Sequence, residues 1–327
     1  MKTNKILLLT SSVLACTSLI GCGKDKGIII WTSGEDYKNA FYLEELEKQF
    51  PDKIFTMEYV DSAAIASKVT TEGAKCEADI ILSEEYGYLE KMTDYLEELV
   101  NFDYSIFLDE IVPSHHKYTP EVKNGGGIII DTQKLAAKSL PEPTSYADLL
   151  DSKYRGLVTM PNPKKSGTGY MFLRQLTNEW GEQEAFDYFD SLFANGCLAN
   201  GGGSSPINNI KTGESAIGLG MISQGAEEIT KGQSFKIIFF EEGAPYSMYG
   251  NAILKGHSNK EGVQEVFDYL ATTLCMADND KYFPDQIFKD HIPTGVPNFP
   301  TNIKYGDMSN DTSAEKDRLL AKWTHNI

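Results

Sequence analysis

Cysteine, histidine and tryptophan are scarce in this 327-residue chain, at five, five and three residues. So few cysteines exclude a fold held together by a disulfide framework, and without a Cys-x-x-Cys pair there is no zinc knuckle or redox dithiol. His115, His116, His257, His291 and His325 are dispersed, and none stands in the His-Glu-x-x-His spacing that grips a metal. Adjacent His115 and His116 on an extended segment would point to opposite faces, which suits a surface pair better than a ligand set. There is no Gly-x-Ser-x-Gly nucleophile elbow and no Gly-Lys-Ser/Thr ending to a phosphate loop. A hydrolase would need a nucleophile beside a base, and the sequence offers none, so a non-enzyme without cofactor or metal is expected. Beyond the extreme N-terminus no run of roughly 18 apolar residues exists to span a bilayer. Positive charge is short as well: 30 Lys and Arg against 47 Asp and Glu leave a net charge of −17. Such an acidic surface repels nucleic acid and anionic lipid.

The N-terminus breaks this pattern. Lys2 and Lys5 precede an apolar stretch over residues 6–15, the length of a signal-peptide core. Leu19-Ile20-Gly21-Cys22 follows and looks like a bacterial lipobox, in which Cys22 is diacylated and becomes the first mature residue. A small residue directly before the cysteine is the demanding requirement, and Gly21 meets it. The alternative is an ordinary secretory leader. Residues 1–21 are thus expected to leave as a lipoprotein signal peptide, and residues 22–26 to form the lipidated cysteine and its tether. This implies a place outside the cytoplasm, on the outer face of the cell membrane or in a periplasm, held by lipid and not by a helix. Cys76, Cys197 and Cys275 remain, and their odd number and long spacing favour buried free thiols over a disulfide.

The mature chain alternates strand and helix signals. Gly27-Ile28-Ile29-Ile30-Trp31 is a continuous apolar run, as in a strand buried on both faces. Residues 36–50 carry Ala40, Phe41, Leu43, Leu46 and Phe50 at helical spacing, stopped by Pro51. Strands are predicted over 54–60 and 78–82, and helices over 62–75 and 85–99. This βαβα rhythm predicts a mostly parallel sheet with helices on both faces. A strand is expected to begin inside Gly125-Gly126-Gly127-Ile128, after which the pattern restarts. Strands over 156–160, 216–221 and 235–240 then alternate with helices over 145–150, 170–179, 183–193 and 224–231. A strand over 249–254 leads to a helix over 260–276. Thr312-Ser313-Ala314-Glu315 matches a capping box opening a final helix to Trp323.

Several loops at the carboxyl ends of strands are built to meet a ligand. Pro161-Asn162-Pro163-Lys164-Lys165-Ser166-Gly167-Thr168-Gly169-Tyr170 joins a strand to a helix. Its glycines let backbone come close to a ligand, its hydroxyls donate, and the helix N–H groups point outward, which suits an anionic group. Thr32-Ser33-Gly34, Ser83-Glu84, the Ser204-Ser205 end of Gly201-Gly202-Gly203, and Ser223-Gln224 share the design. Taken singly, each of these reads better as a structural cap or turn. Five together favour a shared cleft, since open α/β sheets bind ligands at the carboxyl ends of their strands. Glu35-Asp36 and Glu84-Glu85 are acidic pairs that also complement helix N-termini.

The order of these motifs resembles a known family. A lipobox leader and an Ile-Ile-Ile-Trp-Thr-Ser strand and loop are followed by Ala78-Asp79-Ile80-Ile81-Leu82-Ser83. Then come Gly-Gly-Ile-Ile-Ile-Asp-Thr at 126–132, Lys153-Tyr154-Arg155-Gly156, the Ser166-Gly167-Thr168-Gly169-Tyr170 loop and Lys211-Thr212-Gly213-Glu214. Glu241-Glu242-Gly243 precedes Tyr246 and a Gly-Asn-Ala strand. The chain looks like the extracellular solute-binding proteins of ABC importers, in the group holding ferric-iron, phosphonate and sugar-phosphate binders. The resemblance implies an α/β, two-lobed type II periplasmic-binding-protein fold with a hinge and an interlobe ligand cleft. Lobe one would comprise residues 27–124 and 246–327, and lobe two residues 125–245. It further implies a monomer that passes a small solute to a membrane permease with its cytoplasmic ATPase. The expected ligand contacts are Thr32, Ser33, Gly34, Ser83, Glu84, Ser166, Gly167, Thr168, Gly169, Tyr170, Ser204, Ser205, Ser223, Glu242 and Tyr246. Ferric-iron members use neighbouring tyrosines near the strand that here reads Ala216 to Met221, where this chain has Ile222-Ser223-Gln224. The hydroxyl loops favour a phosphonate or organophosphate-like anion. Tyr86, Tyr170, Tyr246 and Tyr249 keep ferric iron or a ferric complex as the alternative, and Glu35, Glu84 and Glu242 would suit an amino group on a zwitterion.

Overall fold

The computed structural model describes residues 27–199 and 201–325. The lipobox and its Cys22 lie outside them. The first strand, β1 (Ile28–Thr32), is buried at every position. It pairs in parallel with β2 (Phe55–Tyr59) and with β3 (Ile80–Glu85). Alternation then divides its side chains: Ile28 and Ile30 enter one apolar core with Leu82 and Phe267, and Ile29 and Trp31 enter another with Ile65 and Leu89. Each large apolar side chain fully buried in this way contributes about 1.5–3 kcal/mol. The crossover helices are α1 (Asp36–Gln49), which buries Lys38, Tyr42 and Leu46 at helical spacing, and α2 (Ser62–Glu72). The short helix α3 (Tyr86–Met92) follows β3.

A single long strand joins the two halves of the sheet. The strand β4 (Thr119–Asp131) pairs through residues 119–125 with the antiparallel strand β8 (Tyr246–Ile253). Its remaining residues pair with β6 (Ile217–Met221) and β7 (Phe235–Ile238). The strand β5 (Val158–Thr159) lies parallel to β6, giving the order β2-β1-β3-β8-β4-β6-β5 with β7 beside β4. The second half is covered by α4 (Thr132–Ala137), α5 (Gly167–Trp180), α6 (Glu182–Ala194), α7 (Ser205–Lys211) and α8 (Ile222–Thr230). Its core gathers Ile128, Ile130, Phe172, Phe189 and Leu219. Finally, α9 (Val263–Tyr269) and α10 (Cys275–Tyr282) pack on the first half. The last helix, α11 (Ser313–Lys322), instead sends Leu319 and Trp323 into the core of the second half.

Several expectations need correction. The sheet is mixed and not mostly parallel, because β3, β4, β6, β7 and β8 make antiparallel pairs. The strand expected to begin in the glycine cluster begins at Thr119 and runs straight through it. Those glycines serve close packing: a Cβ on Gly126 would fall 2.7 Å from Pro245 Cγ and 2.8 Å from Met171 Cε. The helix expected over 85–99 stops at Met92, where the chain tightens into a 3-10 turn and Leu96 pairs with Leu254. The helix expected over 145–150 is a 3-10 turn, Ala147–Leu150. The helix expected over 260–276 is α9 and α10 joined through the π-helical turn Leu270–Leu274, and it extends to Tyr282. The helix α11, grouped with the first half on sequence, touches both halves, Lys316 pairing with Glu85 of the first and Leu319 entering the core of the second. Cys76, Cys197 and Cys275 are free and buried.

Candidate functional site

Two sets of loops face each other across the middle of the sheet. From the first half come Ser33, Gly34 and Glu35 between β1 and α1, Asp61 and Ser62 at the start of α2, and Ser83 in β3. From the second half come Lys165, Ser166 and Thr168 at the start of α5, Gly203 and Ser204 before α7, and Met221 at the end of β6. Val122 and Asn124 of β4 and Tyr249 of β8 complete the wall, with Lys38 and Tyr59 at its sides. Together they surround about 420 Å³, mouth included. The halves touch here. A Cβ on Gly202 would fall 2.5 Å from Asp61 Oδ1, and one on Gly167 2.8 Å from Glu85 Cγ and 3.0 Å from the Tyr249 hydroxyl oxygen.

Hydrogen bonds hold the lining in place. Ser166 caps α5, its Oγ accepting from Thr168 N–H at 3.1 Å. Gln224 Nε2 donates to Ser204 Oγ at 2.9 Å. Ser83 has a left-handed φ of +56°, which costs a serine roughly 1–3 kcal/mol and persists only where neighbours over-determine it. Here they do: its N–H donates to Asn251 Oδ1 at 2.9 Å and its Oγ to Glu121 Oε1 at 2.7 Å, and its carbonyl accepts from Ser33 Oγ at 2.6 Å. Two hydroxyl positions, those of Ser33 and Ser83, are thus fixed by a residue whose backbone strain nothing in the sequence marks.

Behind this wall lies a buried charge cluster. Lys38 Nζ meets Glu121 Oε1 at 2.9 Å and Asp278 Oδ2 at 3.2 Å, all three side chains being almost completely buried. Burial opposes the ammonium, yet Asp278, Glu121 and Glu35 together hold its pKa above the ordinary lysine value. Burial raises Glu35, with Lys38 working the other way. Burial also pushes Asp278 up to about 7 and Glu84 up to about 8. Cations and carboxylates therefore both reach the pocket, the lysines at Lys38 and Lys165 and the acids at Glu35 and Asp61. Among the described residues no group of histidine, cysteine and carboxylate side chains could hold a metal ion.

Of the residues expected from sequence, Ser33, Gly34, Ser83, Ser166, Thr168 and Ser204 line this pocket. Gly167 stands at its edge against Glu85 and Tyr249, while Gly169 packs on the backbone of Pro161, Asn162 and Pro163. The others stand elsewhere. Thr32 is buried and donates to Asn39 Oδ1 at 2.9 Å. Glu84 is buried, with one oxygen accepting from the N–H of Glu85. Ser205 Oγ closes a turn onto the Gly202 carbonyl at 2.8 Å. Tyr170 enters the second core, and Ser223 lines a separate cavity with Tyr282. Glu242 lends its carbonyl to Gln175, and Tyr246 packs on Tyr305 and lines a different cavity. Sequence reasoning missed Lys38, Tyr59, Asp61, Ser62, Asn124 and Met221. Asp61 and Ser62 carried a signal, since they stand at a strand-to-helix junction like the loops that were chosen.

The fold is that of the two-lobed periplasmic binding proteins. AfuA of Actinobacillus pleuropneumoniae, with fructose-6-phosphate bound, superposes at TM-score 0.80 with 21% identity, over 91% of this chain and 97% of that one. The apo ferric ion-binding protein A of Pasteurella haemolytica superposes at 0.69 with 16% identity, over 91% and 96%. A relative from Haemophilus influenzae described as an uncharacterized protein is 28% identical, covering 100% of this chain and 99% of its own. Residues 82–311 match the model of the bacterial extracellular solute-binding proteins, and the chain belongs to that family. It is the extracellular solute-binding component of an ABC import system, in a family of binding proteins whose members deliver ligand to a permease.

Proposed function

We propose that the interlobe pocket captures a small phosphorylated or phosphonate-like anion that also carries hydroxyl or amino groups. One observation carries this reading: the Ser166–Thr168 start of α5, an N-terminus whose dipole favours negative charge, opens onto the same pocket as Ser33, Ser62, Ser83 and Ser204. Lys165 stands at that end, and Glu35 and Asp61 stand where ligand hydroxyls or an ammonium would donate. The fructose-6-phosphate held by AfuA has this mixed character. The ferric alternative has less support, because Tyr249 and Tyr59 are the tyrosines lining the pocket, while Tyr170 and Tyr246 stand elsewhere. Residues 27–124 with 246 to about 303 form one lobe and 125–245 the other, and β4 and β8 form the hinge. The protein works as a monomer without catalytic activity of its own, anchored through Cys22 on the outer face of the membrane.

A thermal-shift screen of the protein starting at Gly23 tests the ligand class, with phosphonates, sugar phosphates, inorganic phosphate and ferric citrate. Binding to the native state alone adds RT ln(1 + [L]/Kd), about 2.7 kcal/mol at a hundredfold excess. A shift with a phosphate-bearing compound is expected, weakened by Thr168→Val and by Ser166→Ala. Because Ser166 is also a helix cap, its loss lowers apo stability by about 1 kcal/mol as well. A shift confined to ferric salt, with a tyrosinate charge-transfer band, overturns the proposal.

A further inference from the structure

A second cavity, larger than the first, lies at the same junction. It spans about 920 Å³ with its mouth, between the start of α3, the first residues of β8 and the segment leading into α11. Glu85 separates the two cavities: it abuts Gly167 at the edge of the first and lines the second. Three carboxylates line this space, Glu85, Glu90 and Asp311. Glu85 is neutralised by a buried ion pair with Lys316. Glu90 accepts from the Tyr118 hydroxyl at 2.6 Å and meets His115 Nε2 at 3.1 Å, while Asp311 has no ion-pair partner among the described residues. The rest of the wall is aromatic and soft. Tyr86 and Tyr118 meet edge to face with centroids 4.7 Å apart, and Tyr246, Met248 and Met308 complete it. Tyr246 already receives a cation on its ring, Lys123 Nζ lying 4.5 Å from the centroid. An independent observation points to a ligand: Ser247 lines the cavity, is 2% exposed, and its Oγ has no hydrogen-bond partner.

We propose that this cavity is a second binding site, for a small organic ammonium ion bearing a hydroxyl or carbonyl group. Tyrosine faces attract a cation through their quadrupoles. Glu90 and Asp311 supply the opposing charge, and the ligand's polar group meets Ser247 Oγ. An anion would face three carboxylates, and the nearby lysines are engaged, Lys316 with Glu85 and Lys123 over the rings of Tyr246 and Tyr305. Both halves contribute walls, Glu85 and Tyr118 from one side and Met308 and Asp311 from the segment that enters the other core. Occupancy therefore couples to the relative position of the halves, and the coupling is reciprocal with binding in the first pocket.

Calorimetric titration of the protein from Gly23 with choline chloride, against sodium chloride at matched ionic strength, tests the site. Saturable binding is expected with a dissociation constant of about 1 mM or tighter, the range of a small single-site cation. Combining Glu90→Gln with Asp311→Asn, both exposed and isosteric, should weaken it at least tenfold. Heats indistinguishable from sodium chloride overturn the proposal. So does binding that survives the carboxylate pair, because choline would then lie outside this cavity.

Discussion

The buried carboxyls of Glu84 and Asp278 are tuned more by removal from water than by their partners. Glu84 has an ordinary pKa of 4.5 and is pushed up to about 8 by removal from water. A carboxyl raised in this way holds its proton in the folded state after the unfolded chain has released it. Between pH 4.5 and 8 the folded state thus binds the more protons, and stability falls as pH rises through that window. Above the folded pKa the loss is complete. Replacing Glu84 with glutamine removes the titration, so the variant should gain on the parent as pH rises from about 5 to 8. Urea unfolding at several pH values reads this directly, and a constant difference across the range would rule out Glu84 as the source. Asp278, pushed up to about 7, leans the same way. Neither shift was legible in the sequence, because Glu84 in a Ser-Glu pair at a strand end reads as a ligand contact until β3 is seen to bury it.

At the scale of elements, the sequence announced what local pattern controls and missed what tertiary contact controls. The apolar run that opens β1, the helical spacing in α1 and the Thr312 cap of α11 are local, and each stands within a few residues of where pattern placed it. The length of β4 is not local. It is set by β8 pairing with its first half and by β6 and β7 pairing with its second, and glycine runs conceal that continuity. The same holds for the pocket: hydroxyl loops at strand ends were recognisable, whereas Lys38 belongs to it only because Glu121 and Asp278 converge behind it. The last helix gives this a measurable form. Trp323 is 1% exposed, with ring centroids 5.2 Å from Phe189 and 5.6 Å from Phe193. Those partners belong to α6, so the chain's end is a structural part of the second half. Trp323→Ala should cost about 3–5 kcal/mol, as aromatic truncations in cores do. Denaturant titration with a conformational probe on α6 checks it, and a cost below 1 kcal/mol would mean that α11 merely rests on the surface.

For the whole molecule, function depends on two halves that meet over a ligand. A ligand favours the closed arrangement only by contacts it makes there and not in the open one. The described arrangement is closed enough that the halves touch at glycines. Gly167, at the first position of α5, has helical geometry that alanine adopts without strain. Its added methyl nevertheless has no room, with Glu85 Cγ at 2.8 Å and the Tyr249 hydroxyl oxygen at 3.0 Å across the cleft. Those neighbours belong to the other half, so opening the cleft relieves the clash while leaving each core intact. Gly167→Ala should therefore leave the apo melting temperature close to the parent's and penalise closure. Overpacking costs about 1–3 kcal/mol, which corresponds to a loss of affinity of roughly five- to 150-fold. Small-angle scattering supplies the second readout: saturating ligand should compact the parent, and the variant should need far more ligand to reach the same radius. If the variant binds and compacts as the parent does, the halves do not close on ligand through this contact. If it unfolds without ligand, Gly167 belongs to the packing of its own half and the hinge lies elsewhere.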